Sequence, residues 1–334
     1  MQANPDQVVR RADPLNCEVR ISRLADGLLT PNERFYIRNH FPVPEIVARS
    51  WRLNVKGLVK EPLSLSLPQV MRFRGETIPV TLECAGNGRS LFQPPIDGEP
   101  WGLGAVSSAE WTGVPIFDVL DKAGIAPNAT HLIFRSADTF ERAISIEDAR
   151  EVPVLLAFGM NGVPLPPVHG YPLRAIIPAW YAVASVKWLT EIEVTDHSFD
   201  GYFQTQRYVY EWSGRTEPVR YQKVRSVITQ PEDGETIAAG DVTIHGLAWS
   251  GAHPLGQVHV SVNQGDWLQA TLAGLPDRYA WRSWQLETRI AAPGTVTIRS
   301  RATDINRESQ PEQADWNRLG YGNNSMQTVT VTVR

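Results

Sequence analysis

From residue 51 onward the chain alternates apolar and polar positions in short bursts separated by turn residues, as strands with two unlike faces do. Residues 51–59 and the Leu63, Leu65, Leu67 alternation read as strands divided by Glu61-Pro62. Ser66 is placed to cap a short helix with Pro68 in its first turn and Val70 and Met71 inside. Residues 78–83 alternate again and run into Cys84-Ala-Gly-Asn-Gly-Arg89, whose glycines permit a tight turn with close backbone approach. Residues 114–123 carry helical spacing closed by Gly124, and Ser145 caps a second helix over 145–149. A Pro- and Gly-rich loop, His169-Gly-Tyr-Pro-Leu-Arg174, leads into an apolar strand at 175–177.

Past Pro218 the character changes. Segments 224–229, 242–249, 258–262, 267–272, 281–288, 295–302 and 327–333 alternate between turns, the spacing of a β-sandwich. Asn263-Gln264-Gly265 suits a hairpin connection. The pattern predicts an α+β chain: a mixed domain over 1–222, then a β-sandwich over 223–334, with no internal repeat.

Composition narrows what such a chain does. Its 334 residues are 42% hydrophobic and 20% charged, with a net charge of -4, so it is globular and lacks a nucleic-acid footprint. No apolar run approaches the ~18 residues of a membrane span. Residues 1–16 are polar, and no export signal is visible there. That fits a cytoplasmic chain, or a periplasmic one whose signal has been trimmed. The two cysteines, Cys17 and Cys84, belong to no CxxC pair, which excludes a disulfide scaffold and a zinc knuckle. Motifs for dinucleotides, nucleotides, zinc proteases and serine hydrolases are missing.

Cys84 is the sharpest candidate. A thiol at a strand end beside glycine backbone and Arg89 has its thiolate favoured, either as nucleophile or as soft-metal ligand. Around it in the sequence stand basic residues among aromatics and glycines: Arg38 and His40, Arg89, His169, Arg174 and Lys187. Donors of this kind suit a phosphate or another oxyanion. Tyr208 is a candidate hydrogen-bond donor, whereas Cys17 matches no motif.

Arg38-Asn-His40 with Phe-Pro-Val-Pro44, Cys84-Ala-Gly-Asn87, residues 102–111, His169 to Arg174, Val186-Lys-Trp-Leu189 and Trp316-Asn317 occur in one order. In that order they resemble the molybdopterin-dependent sulfite oxidase family, which includes the molybdenum portion of nitrate reductases and bacterial sulfite or sulfane dehydrogenases. The resemblance implies a pterin-holding domain followed by an immunoglobulin-like sandwich that makes a homodimer. It makes Cys84 the thiolate ligand of molybdenum, and places Arg38, His40, His169, Arg174 and Lys187, with Ser185 and Asp138 as further matches, around the pterin and its phosphate. Arg38, Arg89, Trp101 and Tyr208 match the substrate pocket.

The implied reaction is oxygen-atom transfer to sulfite, with two electrons then leaving singly. No haem-binding segment is visible, so the expected acceptor is external: a cytochrome c, another redox protein, or oxygen. One departure bears on the substrate. Animal and plant sulfite oxidases have an arginine where this chain has Leu319, with Arg318 one position early. A one-residue shift on an extended segment turns a side chain to the opposite face. Nitrate, a sulfoxide or another sulfur oxyanion therefore stands behind sulfite as substrate, and a non-catalytic sandwich-type binding protein is the more distant alternative.

Overall fold

Leu53 and Val55 point the same way from strand Leu53–Gly57 and are fully buried, as the alternation around them requires. In the computed structural model, which describes residues 3–212, 214–273 and 277–334, this strand lies inside a five-stranded sheet. The order is Leu63–Leu65, Leu53–Gly57, Leu189–Thr195, His131–Ser136, Glu141–Ser145. Only the pairing of Leu53–Gly57 with Leu189–Thr195 is parallel there.

A second sheet, antiparallel throughout, runs Val163–Pro164, Leu155–Met160, Val106–Pro115, Glu76–Glu83, and Arg174–Ile176 also pairs with Leu155–Met160. Helix Ile116–Ala123 buries Ile116, Val119, Leu120 and Ala123, one helical face. The backbone of Gly124, at φ 73°, ends it by donating to Leu120. The expected start at residue 114 is corrected, because Val114 and Pro115 complete the long strand Val106–Pro115. Ser145 caps Ile146–Glu151, its hydroxyl accepting from the Asp148 N–H at 2.9 Å. No described helix is long and apolar enough to cross a membrane.

The later segments form two facing sheets. One runs Arg225–Gln230, Gly240–Trp249, Arg282–Ile290, Thr271–Leu272, and the other Thr236–Ile237, Thr328–Val333, Gly294–Asp304, Leu255–Val262, Leu268–Gln269. Ile228, Ile244, Val258, Trp284, Ile298 and Val331 fill the space between them. The strand expected over 267–272 breaks in two. Leu268–Gln269 pairs with Leu255–Val262 across the hairpin at 263–265, and Thr271–Leu272 crosses to the other sheet.

The polar leading segment is more ordered than its composition suggests. Met1 and Gln2 lie outside the described residues, but Gln7–Arg11 and Asn16–Val19 form a hairpin. There Cys17 is sealed and bridges to Ile37. The sandwich packs directly on the strand that carries Cys84. Val227, Leu247 and Trp249 share one apolar cluster with Val80, Leu82 and Cys84. Beside that cluster Glu83 accepts from Arg225, Trp249 and Asn87.

Candidate active site

Strand Glu76–Glu83 ends at Cys84, whose N–H donates to Ala105 and whose carbonyl accepts from Asn87, each at 2.9 Å. Gly88 turns the chain at φ 83°, and a Cβ on it would stand 2.8 Å from the Arg225 guanidinium. Arg89 then folds back through a slot cut by glycines, since a Cβ on Gly86 or Gly320 would come within 2.8 or 2.9 Å of its side chain. Its Nε donates to the Leu319 carbonyl at 3.2 Å and its Nη1 to the Glu99 carbonyl at 3.0 Å. The guanidinium lies 5.1 Å over the Tyr321 ring.

Two chambers meet here, and Arg38, His40, Cys84 and Tyr208 border both. The first spans about 710 Å³ of space partly open to solvent and is also lined by Asp138, His169, Arg174, Ser185 and Lys187. The second spans about 770 Å³, likewise partly open, and adds Arg89 and Trp101. The fold thus brings every residue selected from the sequence into one connected site.

In the first chamber cations rest on neutral oxygens. Arg174 donates to the carbonyls of His169 and Ser185 at 3.0 and 2.9 Å, and Lys187 to the Val168 carbonyl at 3.0 Å and to Asn39. Burial pulls Arg174 down to about 10, and burial together with the neighbouring Arg174 pulls Lys187 well below the usual lysine range. Asp138 is the carboxylate of this wall, and it closes its own turn by accepting from Ser136 and from the Phe140 N–H. Ser185 Oγ accepts from the Ile177 N–H at 3.0 Å. His169 Nε2 faces the Asn32 carbonyl at 3.1 Å, and a carbonyl only accepts, so Nε2 carries the proton. Burial, with Lys187 nearby, holds this imidazole down to about 3, so it stays neutral. Cations that outnumber the one carboxylate of this wall are costly to bury, and an anionic group seated among them relieves that cost.

In the second chamber burial raises the Cys84 thiol, while Arg38, the Gly86 N–H and Arg89 oppose the rise. Burial, then Arg38 and Lys187, keep His40 well below its ordinary range and hence neutral, and its Nε2 shares a hydrogen bond with the Tyr208 hydroxyl at 2.7 Å. Tyr208 takes φ 50°, a strained region for an aromatic residue, and stacks on Tyr321 at 4.8 Å. Trp101 is fully buried, and its Nε1 has no partner among the described residues. A buried donor in a chamber wall is open to an acceptor from water or from a ligand. Among the described residues no three His, Cys, Asp or Glu side chains gather as a metal cluster, which leaves Cys84 as the soft donor at the junction.

Arg318 turns outward as the one-residue shift implies, and its guanidinium grips both carboxylate oxygens of Glu211 at 2.6 Å. Leu319 lines the chamber in its place. Sequence reasoning missed Arg11, Glu99, Arg207 and Tyr321, which also line this chamber. Arg207 precedes Tyr208, and Tyr321 follows the Trp316-Asn317 word, so adjacency was the available signal. Arg11 gave none.

A profile described as an oxidoreductase molybdopterin binding domain matches residues 40–203, and one described as a Mo-co oxidoreductase dimerisation domain matches residues 217–334. The chain is 34% identical to sulfite oxidase of Gallus gallus, with 95% of this chain and 76% of that protein covered. Mitochondrial sulfite oxidase of Mus musculus is also 34% identical over 96% of this chain, which spans 64% of that protein's length. Among solved structures the sulfane dehydrogenase SoxCD of Paracoccus pantotrophus superposes with a TM-score of 0.86 at 27% identity, covering 99% of this chain and 86% of that one. The chain belongs to the sulfite oxidase family of molybdopterin-dependent oxidoreductases.

Proposed function

We propose that the chain oxidises sulfite to sulfate on a molybdenum–molybdopterin cofactor held across the two chambers. The carrying observation is Cys84, a soft donor standing where a cation-lined chamber meets a second, arginine-rich one. Cys84 would ligate the metal as thiolate. His40, His169, Arg174, Ser185 and Lys187 would hold the pterin and its phosphate, with Asp138 fixing the turn beside them. When bound, the cofactor supplies a metal centre that exchanges an oxygen atom with substrate and takes up two electrons.

The chain's own part is to bind, orient and exclude water. Arg38 and Arg89 attract the oxyanion, and carbonyl acceptors on Nε and Nη1 keep Arg89 in one pose. Trp101 offers its unused Nε1–H to a substrate oxygen. The Tyr208 hydroxyl stands beside the thiol, 2.7 Å from neutral His40; with the ring proton on Nε2 it accepts from His40 and keeps its own hydrogen for an oxygen placed there. Leu319 and the Tyr208–Tyr321 stack give this pocket an apolar wall. The electrons leave singly to an external acceptor such as a cytochrome c, and the sandwich pairs with a second copy of the chain.

A second reading, nitrate or another sulfur oxyanion as substrate, is favoured by one observation, Leu319 lining the pocket while Arg318 faces out. The rice nitrate reductase is 32% identical over 96% of this chain, which spans 40% of that protein's length. The test is molybdenum per chain by elemental mass spectrometry on protein from a pterin-making host, with sulfite plus ferricyanide and nitrate plus reduced dye as assays. About one atom per chain with sulfite turnover, lost in Cys84→Ser, is expected. Wild-type protein without molybdenum overturns the proposal, and turnover of nitrate alone selects the second reading.

A further inference from the structure

Resting on that reading of the site, we infer that Arg207 is the cation that first captures the substrate anion at the mouth of the second chamber. Four arginines line this chamber: Arg11, Arg38, Arg89 and Arg207. Three of them are committed. Arg11 is ion-paired with Glu99 at 2.7 Å, Arg89 is held by the carbonyls of Leu319 and Glu99, and Arg38 donates to the Asn39 carbonyl.

Arg207 differs. Its Nε donates to the Tyr202 phenol at 3.1 Å, and neither terminal nitrogen has a partner among the described residues. The pair left free is the edge with which a guanidinium grips two oxygens of an oxyanion. The turn at Tyr208, φ 50°, buries the tyrosine while its predecessor stays exposed, so the two neighbours serve different depths of one pocket. The positive charge of Arg207 is felt inside, where it adds to the burial, Arg38 and Lys187 that lower the His40 imidazole and opposes the burial that raises the Tyr321 phenol.

The remaining wall explains why capture falls to this residue. Leu319 gives an entering anion nothing to bind, and Arg318 is tied to Glu211 outside. An anion therefore meets Arg207 before it reaches the half-buried Arg38 and the buried Arg89. Because Arg207 is exposed, its pull is screened by salt, whereas that of the deeper arginines is screened much less.

The test compares holoenzyme of wild type, Arg207→Gln, Arg207→Lys and Arg318→Gln in sulfite oxidation at low and high ionic strength, with sulfate as competing anion. Arg207→Gln is expected to raise KM and the sulfate inhibition constant about five- to tenfold at low salt, to leave kcat within about twofold, and to flatten the salt dependence of kcat/KM. Arg207→Lys should restore most of the affinity, and Arg318→Gln should match wild type. An Arg207→Gln enzyme with wild-type KM and salt dependence, or one that loses kcat alone, overturns the inference. If wild type does not oxidise sulfite, the functional reading fails by itself. Calorimetric sulfate binding then decides the role of Arg207: weaker binding by Arg207→Gln sustains it, and equal binding removes it.

Discussion

The guanidinium of Arg225, from the sandwich, meets the carboxylate of Glu83 at 2.9 Å with both side chains only 2% exposed. Glu83 immediately precedes Cys84, and Arg225 also donates to the Asn87 carbonyl, so one buried pair fastens the second domain to the loop that presents the thiol. Removing one partner strands the other charge in the interior. We expect Arg225→Met to cost about 3 to 5 kcal/mol in urea unfolding, and Glu83→Gln combined with Arg225→Met to recover part of it. A single-variant loss below about 1 kcal/mol would show that the pair is dispensable.

Tyr208→Phe removes the one hydroxyl bonded to His40 and leaves the stacking on Tyr321. Turnover should fall by about tenfold or more while molybdenum per chain stays at the wild-type value. Unchanged kcat would mean that the hydroxyl only braces the imidazole.

Gly320 sits at φ 65°, and a Cβ there would stand 2.9 Å from the Arg89 side chain. Gly320→Ala strains the turn by roughly 1 to 2 kcal/mol and pushes the arginine out of its slot. The KM for sulfite should rise without loss of metal. Steady-state kinetics beside elemental analysis check this, and a variant with wild-type KM would show that the slot tolerates displacement.

Folded His169 is held down to about 3, against an ordinary value of 6.5 for the exposed ring. Between these values the unfolded chain binds more protons, so the free energy of unfolding falls as pH drops through that window and is fully retained above it. His40 acts in the same direction, burial again being the main cause. For cofactor-free protein, stability should drop between pH 7 and 4.5, with His169 contributing on the order of 2 kcal/mol. Urea titrations at several pH values are the measurement. If His169→Gln leaves the slope unaltered, the imidazole is not what titrates.

Much of this site was legible because its chemistry is local in the sequence. Cys84, the glycines after it and Arg89 stand together, and His169 to Arg174 sit in one loop, so residue type and spacing announced them. The sandwich was legible for a related reason, because alternation survives in every strand whose one face is buried. At 267–272 the alternation is present but the strand is not continuous: two residues pair in each sheet, and a period of two does not mark where a strand crosses from one sheet to the other. Arg11 was hidden because its role depends on a distant partner, Glu99. Composition read that segment as a loose polar leader. The helix boundary at 116 was blurred because Val114 has the same apolar character on either side of the strand–helix junction.

The bond from Arg89 to the Leu319 carbonyl spans 230 positions of sequence. A ribosome adding about 5 to 20 residues per second takes roughly 10 to 50 s to cover that distance, during which the thiol loop exists and its arginine lacks that acceptor. The interval is a window of incomplete chemistry. A chain stopped before Leu319 would still present Cys84, yet its oxyanion pocket would have neither that anchor for Arg89 nor the wall formed by Leu319 and Tyr321.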